Sequence, residues 1–238
     1  MPGYGSGAAV ILVISVALSG CSTATESTPA TPESDEPAAV FADPHPSDLH
    51  GTILDPPLLR PTQTLRDTSG RPFSLADRPQ GELTLLFFGY THCPDVCPTT
   101  MADLAGARSQ APAELRDSIR VVFVTEDPRR DTPHLLRRWL DGFDPSFVGL
   151  SGGNSETKPM LKGLYSPETK RLAHPEKRIK HPDSGGPQHH HGDYGIEHTG
   201  IVYAFGPGDT TVIYSGGTKP SQYAADFIRL LDGASPDS

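Results

Sequence analysis

At 238 residues the chain has room for one domain of ordinary size plus appendages, since domains run to about 100–200 residues. It carries 20 basic against 29 acidic side chains, a net charge of −9, so its balance does not recommend nucleic acid or an anionic lipid surface as a partner. Proline (25) and glycine (24) together exceed a fifth of the residues and crowd near the N-terminus and around 181–195, which marks those stretches as tether or loop.

In chain order, Ala8 to Leu18 is an apolar segment of about eleven residues, too short to cross a bilayer as a helix and the right size for the apolar part of an export signal. It runs into Leu18-Ser19-Gly20-Cys21, which resembles the lipobox of bacterial lipoprotein signal peptides. The resemblance implies removal of residues 1–20 and a diacylglyceryl group on Cys21, and so a chain lipid-anchored to a bacterial membrane and facing its extracytoplasmic side. Met1 to Gly7 departs from the usual pattern in having no Lys or Arg. Residues 22–57 are dominated by Ser, Thr, Pro, Ala, Asp and Glu and cannot bury enough apolar surface to offset their ordering entropy, so they read as a flexible tether, with His45 and His50 solvated near its end.

The folded domain is expected over 58–233, followed by a short tail at 234–238. Thr62 to Leu65 and Pro72 to Leu75 flank the turn signal Asp67-Thr68-Ser69-Gly70 and predict an N-terminal hairpin. Leu83 to Gly89 is apolar but for Thr84, as a strand buried on both faces would be. A helix is expected from near Pro94 through Gln110, a β-branched strand over Ile119 to Thr125, and a helix capped by Thr132 and opened by Pro133 that runs to Asp141. A short strand at Phe147 to Leu150 and a helix from Ser155 to Leu164 continue the alternation. Ser166 to Glu197 breaks it: His174, His181 and the triplet His189-His190-His191 stand there among Lys, Pro, Gly and Asp, so a long His-rich loop is expected. Ile201 to Phe205 and Thr210 to Ser215 form a second hairpin about Gly206-Pro207-Gly208-Asp209, and Pro220 to Leu231 a last helix. Parallel strands, an appended antiparallel hairpin and flanking helices make an α/β, thioredoxin-like fold with a mixed central sheet.

The chemistry concentrates at His92-Cys93-Pro94-Asp95-Val96-Cys97-Pro98, where the central strand becomes a helix. A spacing of four puts the two cysteines about one helical turn, or roughly 6 Å, apart, which suits either a disulfide or a shared metal ion. The N–H groups of a first helical turn favour thiolate over thiol, so the pair is expected to be primed to ligate or exchange. Two ordinary buried cysteines or a structural disulfide would fit the same spacing. Structural zinc fits poorly, because the chain has three cysteines in all and no second cysteine pair. Asp127 is expected to shape the site or cap the following helix, and His92 to be structural or solvated.

Phe88-Gly89-Tyr90-Thr91-His92-Cys93-Pro94-Asp95-Val96-Cys97-Pro98, then Asp127-Pro128-Arg129-Arg130-Asp131-Thr132-Pro133, then Glu197-His198-Thr199 resemble the Sco/SenC family, in the family's order, within residues 58–232. What the resemblance implies is copper held by Cys93, Cys97 and His198, and delivery of that copper to the dinuclear copper site of cytochrome c oxidase. The partners it implies are the copper-bearing oxidase subunit, and a thioredoxin-like reductant or another copper carrier. Cys93 and Cys97 would double as a redox pair in the alternative, a thiol–disulfide oxidoreductase that keeps exported cysteines reduced, and whether the chain is also an enzyme in that sense stays open. Soft thiolates favour Cu(I), and an added imidazole lets the same site hold Cu(II). Glu197 stands where the family usually has Asp, and the loop before it is longer and richer in histidine; His189, His190 and His191 would either capture copper loosely or be an incidental polar insertion.

Overall fold

The computed structural model describes residues 49–79, 81–173, 194–197 and 199–232. Cys21, the tether through Asp48, the histidines at 174, 181 and 189–191, His198 and the tail beyond Asp232 lie outside the described residues.

The strand at Leu83–Gly89 (β4) is the axis of the molecule, and all seven of its residues are buried. Alternation sends Leu83, Leu85 and Phe87 to one face of the sheet and Leu86 and Phe88 to the other. The parallel neighbour Ile119–Thr125 (β5) does the same with Val121 and Phe123 against Val122 and Val124. Burying each such side chain contributes about 1.5–3 kcal/mol, which is why a run this apolar belongs at the centre of a sheet covered on both faces.

Around this pair the sheet is mixed. Val148–Ser151 (β6) pairs parallel with β5, and the predicted N-terminal hairpin, Thr64–Asp67 (β2) with Pro72–Ser74 (β3), joins antiparallel at the edge of β6. On the other side of β4 the predicted second hairpin, Val202–Phe205 (β9) with Thr211–Tyr214 (β10), is antiparallel. Thr52–Ile53 (β1) then closes the order β1-β10-β9-β4-β5-β6-β2-β3.

Helices cover both faces. Val96–Gln110 (α1), Pro133–Asp141 (α2) and Pro220–Asp232 (α4) bury Met101 and Leu104, Leu136 and Leu140, and Tyr223 and Phe227 with the first face of β4. Asn154–Gly163 (α3) packs Met160 and Leu161 against the second. In α2 the Thr132 side chain accepts from the Leu135 amide at 3.3 Å, the cap its sequence announces.

Two differences from the sequence reading matter for function. The ordered domain starts before residue 58: β1 pairs with β10, and His50 is fastened to the fully buried Asp226, whose carboxylate accepts from the His50 amide (2.8 Å) and the Gly51 amide (3.0 Å) and meets His50 Nδ1 at 2.9 Å. His50 is therefore part of the fold and not a solvated tether residue. The stretch 166–197 is also not structureless throughout, because Lys170–Ala173 (β7) and Tyr194–Glu197 (β8) form an antiparallel ladder from Lys170↔Glu197 to Ala173↔Tyr194. That pairing joins segments about twenty residues apart, and no local periodicity in either one announces it.

Candidate metal centre

The site is built where β4 ends. Gly89 is required there because a Cβ would come within 2.7 Å of Cys97 Sγ and 3.0 Å of the Phe87 ring, so the sulfur packs directly on the strand backbone. The chain then turns, with the Cys93 amide donating to the Tyr90 carbonyl at 3.1 Å. The helix opens at Val96 rather than near Pro94. Cys93 thus sits in the turn before α1 and Cys97 in its first turn, with the Cys97 amide donating to Cys93 Sγ at 3.4 Å. Both are buried, Cys97 completely and Cys93 with 8% exposed.

The expectation that the helix start primes both sulfurs as thiolates is not met at Cys97. Its hydrogen bond to the Cys93 sulfur, and after that its burial, push the Cys97 thiol far above the ordinary thiol range. A helix terminus supplies at most about 2 kcal/mol toward the anion, whereas the hydrogen bond to the second sulfur together with burial can shift a thiol by several units, so the neutral form wins. A cation arriving between the sulfurs would reverse that balance.

A carboxylate that the sequence reading passed over holds the cysteine turn in place. Asp131, 1% exposed, accepts from the Thr91 amide (2.9 Å), the Thr91 hydroxyl (2.6 Å) and the Thr125 hydroxyl (2.6 Å). It ties the turn to the end of β5. His92 leans the same way, its Nδ1 3.0 Å from Thr91 Oγ1 and 3.6 Å from Asp131 Oδ1. Asp127, fully buried, is bonded to Arg130, and its carbonyl accepts from the Arg130 and Asp131 amides, so it shapes the turn, while the cap of α2 belongs to Thr132. Arg130 in turn lies over the Tyr90 ring, 5.7 Å from its centroid.

Tyr90 also reaches the distant segment. Its hydroxyl accepts from the Ile196 amide at 3.3 Å, and Ile196 is buried in the same core cluster as the cysteines. Four residues on, Gly200 has φ +63°, and a Cβ there would meet Val96 Cγ2 at 3.1 Å, so the chain runs against the first residue of α1. The segment on either side of residue 198 is therefore fixed to the cysteine turn at two points. His198 itself lies outside the described residues, and among the described residues no cluster of three or more His, Cys, Asp or Glu side chains suited to a metal ion occurs. The sequence signal for Tyr90 and Asp131 was only their membership of the two longer motifs; neither residue type announces its partner.

A mixed sheet with a dithiol at the junction of its central strand and a helix defines a thioredoxin-like protein. Residues 54–232 match the SCO1/SenC family, and the chain belongs to it. Among solved structures it is similar to copper-bound ScoI of Bradyrhizobium japonicum, at 29% identity and TM-score 0.57 over 73% of this chain and 99% of that one. It is also similar to the apo Sco1 solution structure from Thermus thermophilus, at 28% identity and TM-score 0.54 over 78% and 96%. The mitochondrial SCO2 homolog of Mus musculus is 29% identical over 167 residues, 70% of this chain and 59% of the mouse protein. The chain covers less than two thirds of the length of the curated relatives it matches.

Proposed function

We propose that this protein is a copper carrier that binds the ion through Cys93, Cys97 and His198 and hands it to the dinuclear copper site of a cytochrome c oxidase subunit, working outside the cytoplasmic membrane on a lipid anchor at Cys21. The observation that carries this reading is the double attachment of the 196–200 segment to the cysteine turn, at Tyr90 and at Val96. Ile196 lies in the same buried cluster as Cys93 and Cys97, which supports a third donor from this stretch of chain. Two soft sulfurs and one imidazole suit copper in either oxidation state, and three donors leave a position for an incoming ligand of the acceptor. Transfer then proceeds by exchange of one donor at a time. No helix among the described residues is long and apolar enough to cross a membrane.

The rival reading, a thiol–disulfide oxidoreductase, uses the same two cysteines. Against it, Cys97 is fully buried with its thiol pushed up, and a resolving or attacking thiolate is best served by a pKa near ambient pH. The deciding experiment titrates reduced, tagless protein with copper and follows thiolate-to-copper charge-transfer absorption for wild type and His198→Ala. Loss of tight binding and an altered spectrum in the variant support the carrier. Unchanged copper affinity in His198→Ala, with function disturbed only by cysteine substitutions, would give the site to redox chemistry.

A further inference from the structure

Beside the cysteine turn lies a half-open groove of about 250 Å³ lined by Thr91, His92, Leu135, Arg138 and Trp139. Thr91 and His92 directly precede Cys93, so whatever occupies this groove touches the cysteine turn. Leu135 and Trp139 are four residues apart on α2 and share one face, half-buried, while the Trp139 ring is held from behind by Phe123 and Phe143, with centroids at 5.1 and 4.9 Å. A rigid, partly exposed tryptophan next to an exposed arginine is the residue pairing that dominates the energetic centres of protein interfaces.

Residues 126–141 hold four arginines (Arg129, Arg130, Arg137, Arg138) against four carboxylates (Glu126, Asp127, Asp131, Asp141), neutral in sum in a chain of −9, but pairing and burial take up the two signs unequally. Asp131 is buried and taken up by the threonines, Arg130 is bonded to Asp127, and Arg137 to Asp141 and the Phe147 carbonyl. What faces solvent is Arg129, His134 and Arg138. The groove on the other side of the turn, lined among others by Asp95, Asp103 and Lys219, has no such sign. We propose that the α2 groove is the docking surface for the copper acceptor, a protein that presents an apolar side chain ringed by carboxylates beside its own metal ligands. This rests on the copper-carrier reading above. A bilayer fits less well, because the surface is concave and two exposed arginines at about 1 kcal/mol each hold no protein on anionic lipid.

The test times copper transfer from the loaded protein to the soluble copper-accepting domain of the oxidase subunit, at low and high salt, with binding of the metal-free pair followed by calorimetry. Arg138→Glu slows transfer about tenfold at low salt and weakens binding in step, and the gap closes as salt shortens the Debye length from about 10 Å at 0.1 M to about 3 Å at 1 M. Leu135→Ser slows transfer at both salts. Lys162→Glu, the same change of charge on α3 across the sheet, matches wild type, and all variants load copper normally. Transfer and binding by Arg138→Glu equal to wild type overturn the proposal. So does sensitivity to Arg138→Glu that appears only in self-association or in sedimentation with anionic vesicles, which would assign the groove to a second copy or to lipid. Wild type that loads no copper removes the carrier reading itself, whereas wild type that loads copper but neither binds nor feeds the acceptor removes the docking surface.

Discussion

Asp131→Ala removes the acceptor for three donors at once: the Thr91 amide, the Thr91 hydroxyl and the Thr125 hydroxyl, at 2.9, 2.6 and 2.6 Å. The two hydroxyls can swing to other acceptors, but the amide cannot, and a buried orphan donor costs about 1–3 kcal/mol. Adding the two lost charge-assisted bonds at a fully buried carboxylate brings the expected loss to about 3–5 kcal/mol. Asp131→Asn is milder. Its oxygen can take the place of Oδ2 and keep the Thr91 amide and Thr125 hydroxyl, while its NH2 donates to the Thr91 hydroxyl oxygen, for a loss of about 1–2 kcal/mol. Urea unfolding of the reduced, metal-free protein reads both values; with a slope of about 2–3 kcal/mol/M the alanine midpoint falls by about 1–2 M and the asparagine midpoint by less than about 1 M. Midpoints for Ala and Asn that coincide, or an Ala variant within about 0.5 kcal/mol of wild type, would refute the claim that this carboxylate holds the cysteine turn.

Tyr90→Phe keeps the ring under Arg130 and deletes the acceptor for the Ile196 amide, a long bond at 3.3 Å, so copper affinity should fall about fivefold, read by competition with a chelating dye, while faster amide exchange appears at Ile196. Cys97 has its folded-state thiol raised, by the Cys93 sulfur and then by burial, so it contributes stability that is full below the ordinary thiol range and is lost as pH climbs through and past about 8.5. Thermal unfolding of reduced apoprotein between pH 7 and 10 should show that loss, and Cys97→Ser should flatten it; an equal slope in both proteins would contradict the assignment. Copper affinity has the opposite sign and should rise with pH, about tenfold per unit for each proton displaced, measured with the same competing dye. Asp226→Asn should destabilise more than His50→Ala, because the His50 and Gly51 backbone amides depend on the same carboxylate, and amide exchange across Gly51 to Leu54 reports which of the two frees β1.

The parts of this fold legible in the sequence are those that local physics decides. Leu83 to Gly89 has no polar residue on either face except Thr84, so a central strand was its natural reading; Thr132 and Pro133 state the start of α2; Gly206 to Asp209 states the turn between β9 and β10. The two cysteines were legible for the same reason, as a short spacing at a change of period. What stayed hidden depends on partners far away in the chain. Nothing near His50 points to Asp226, 176 residues on, and nothing in Lys170 to Ala173 points to Tyr194 to Glu197. Asp131 reads as an ordinary turn aspartate until its Thr91 donors, 40 residues earlier, are in view, and the Tyr90 hydroxyl gains meaning only through an amide 106 residues away.

The two halves of the proposed site are fastened with unequal strength, and that inequality suits a carrier better than a store. The cysteine turn is held by a buried carboxylate with three short bonds and by the packing of Cys97 on Gly89, so both sulfurs are placed before any ion arrives and little ordering entropy is lost on binding. Among the described residues, the other side meets the cysteine turn and α1 through the long Ile196–Tyr90 hydrogen bond and the Gly200–Val96 contact, while Ile196 and Glu197 pair with β7. On the proposed reading, a donor on the weaker half is the one an incoming ligand of the acceptor replaces first, while the sulfurs keep the ion. Strengthening the weak half should therefore slow transfer more than it tightens loading, the reverse of what a storage site would show.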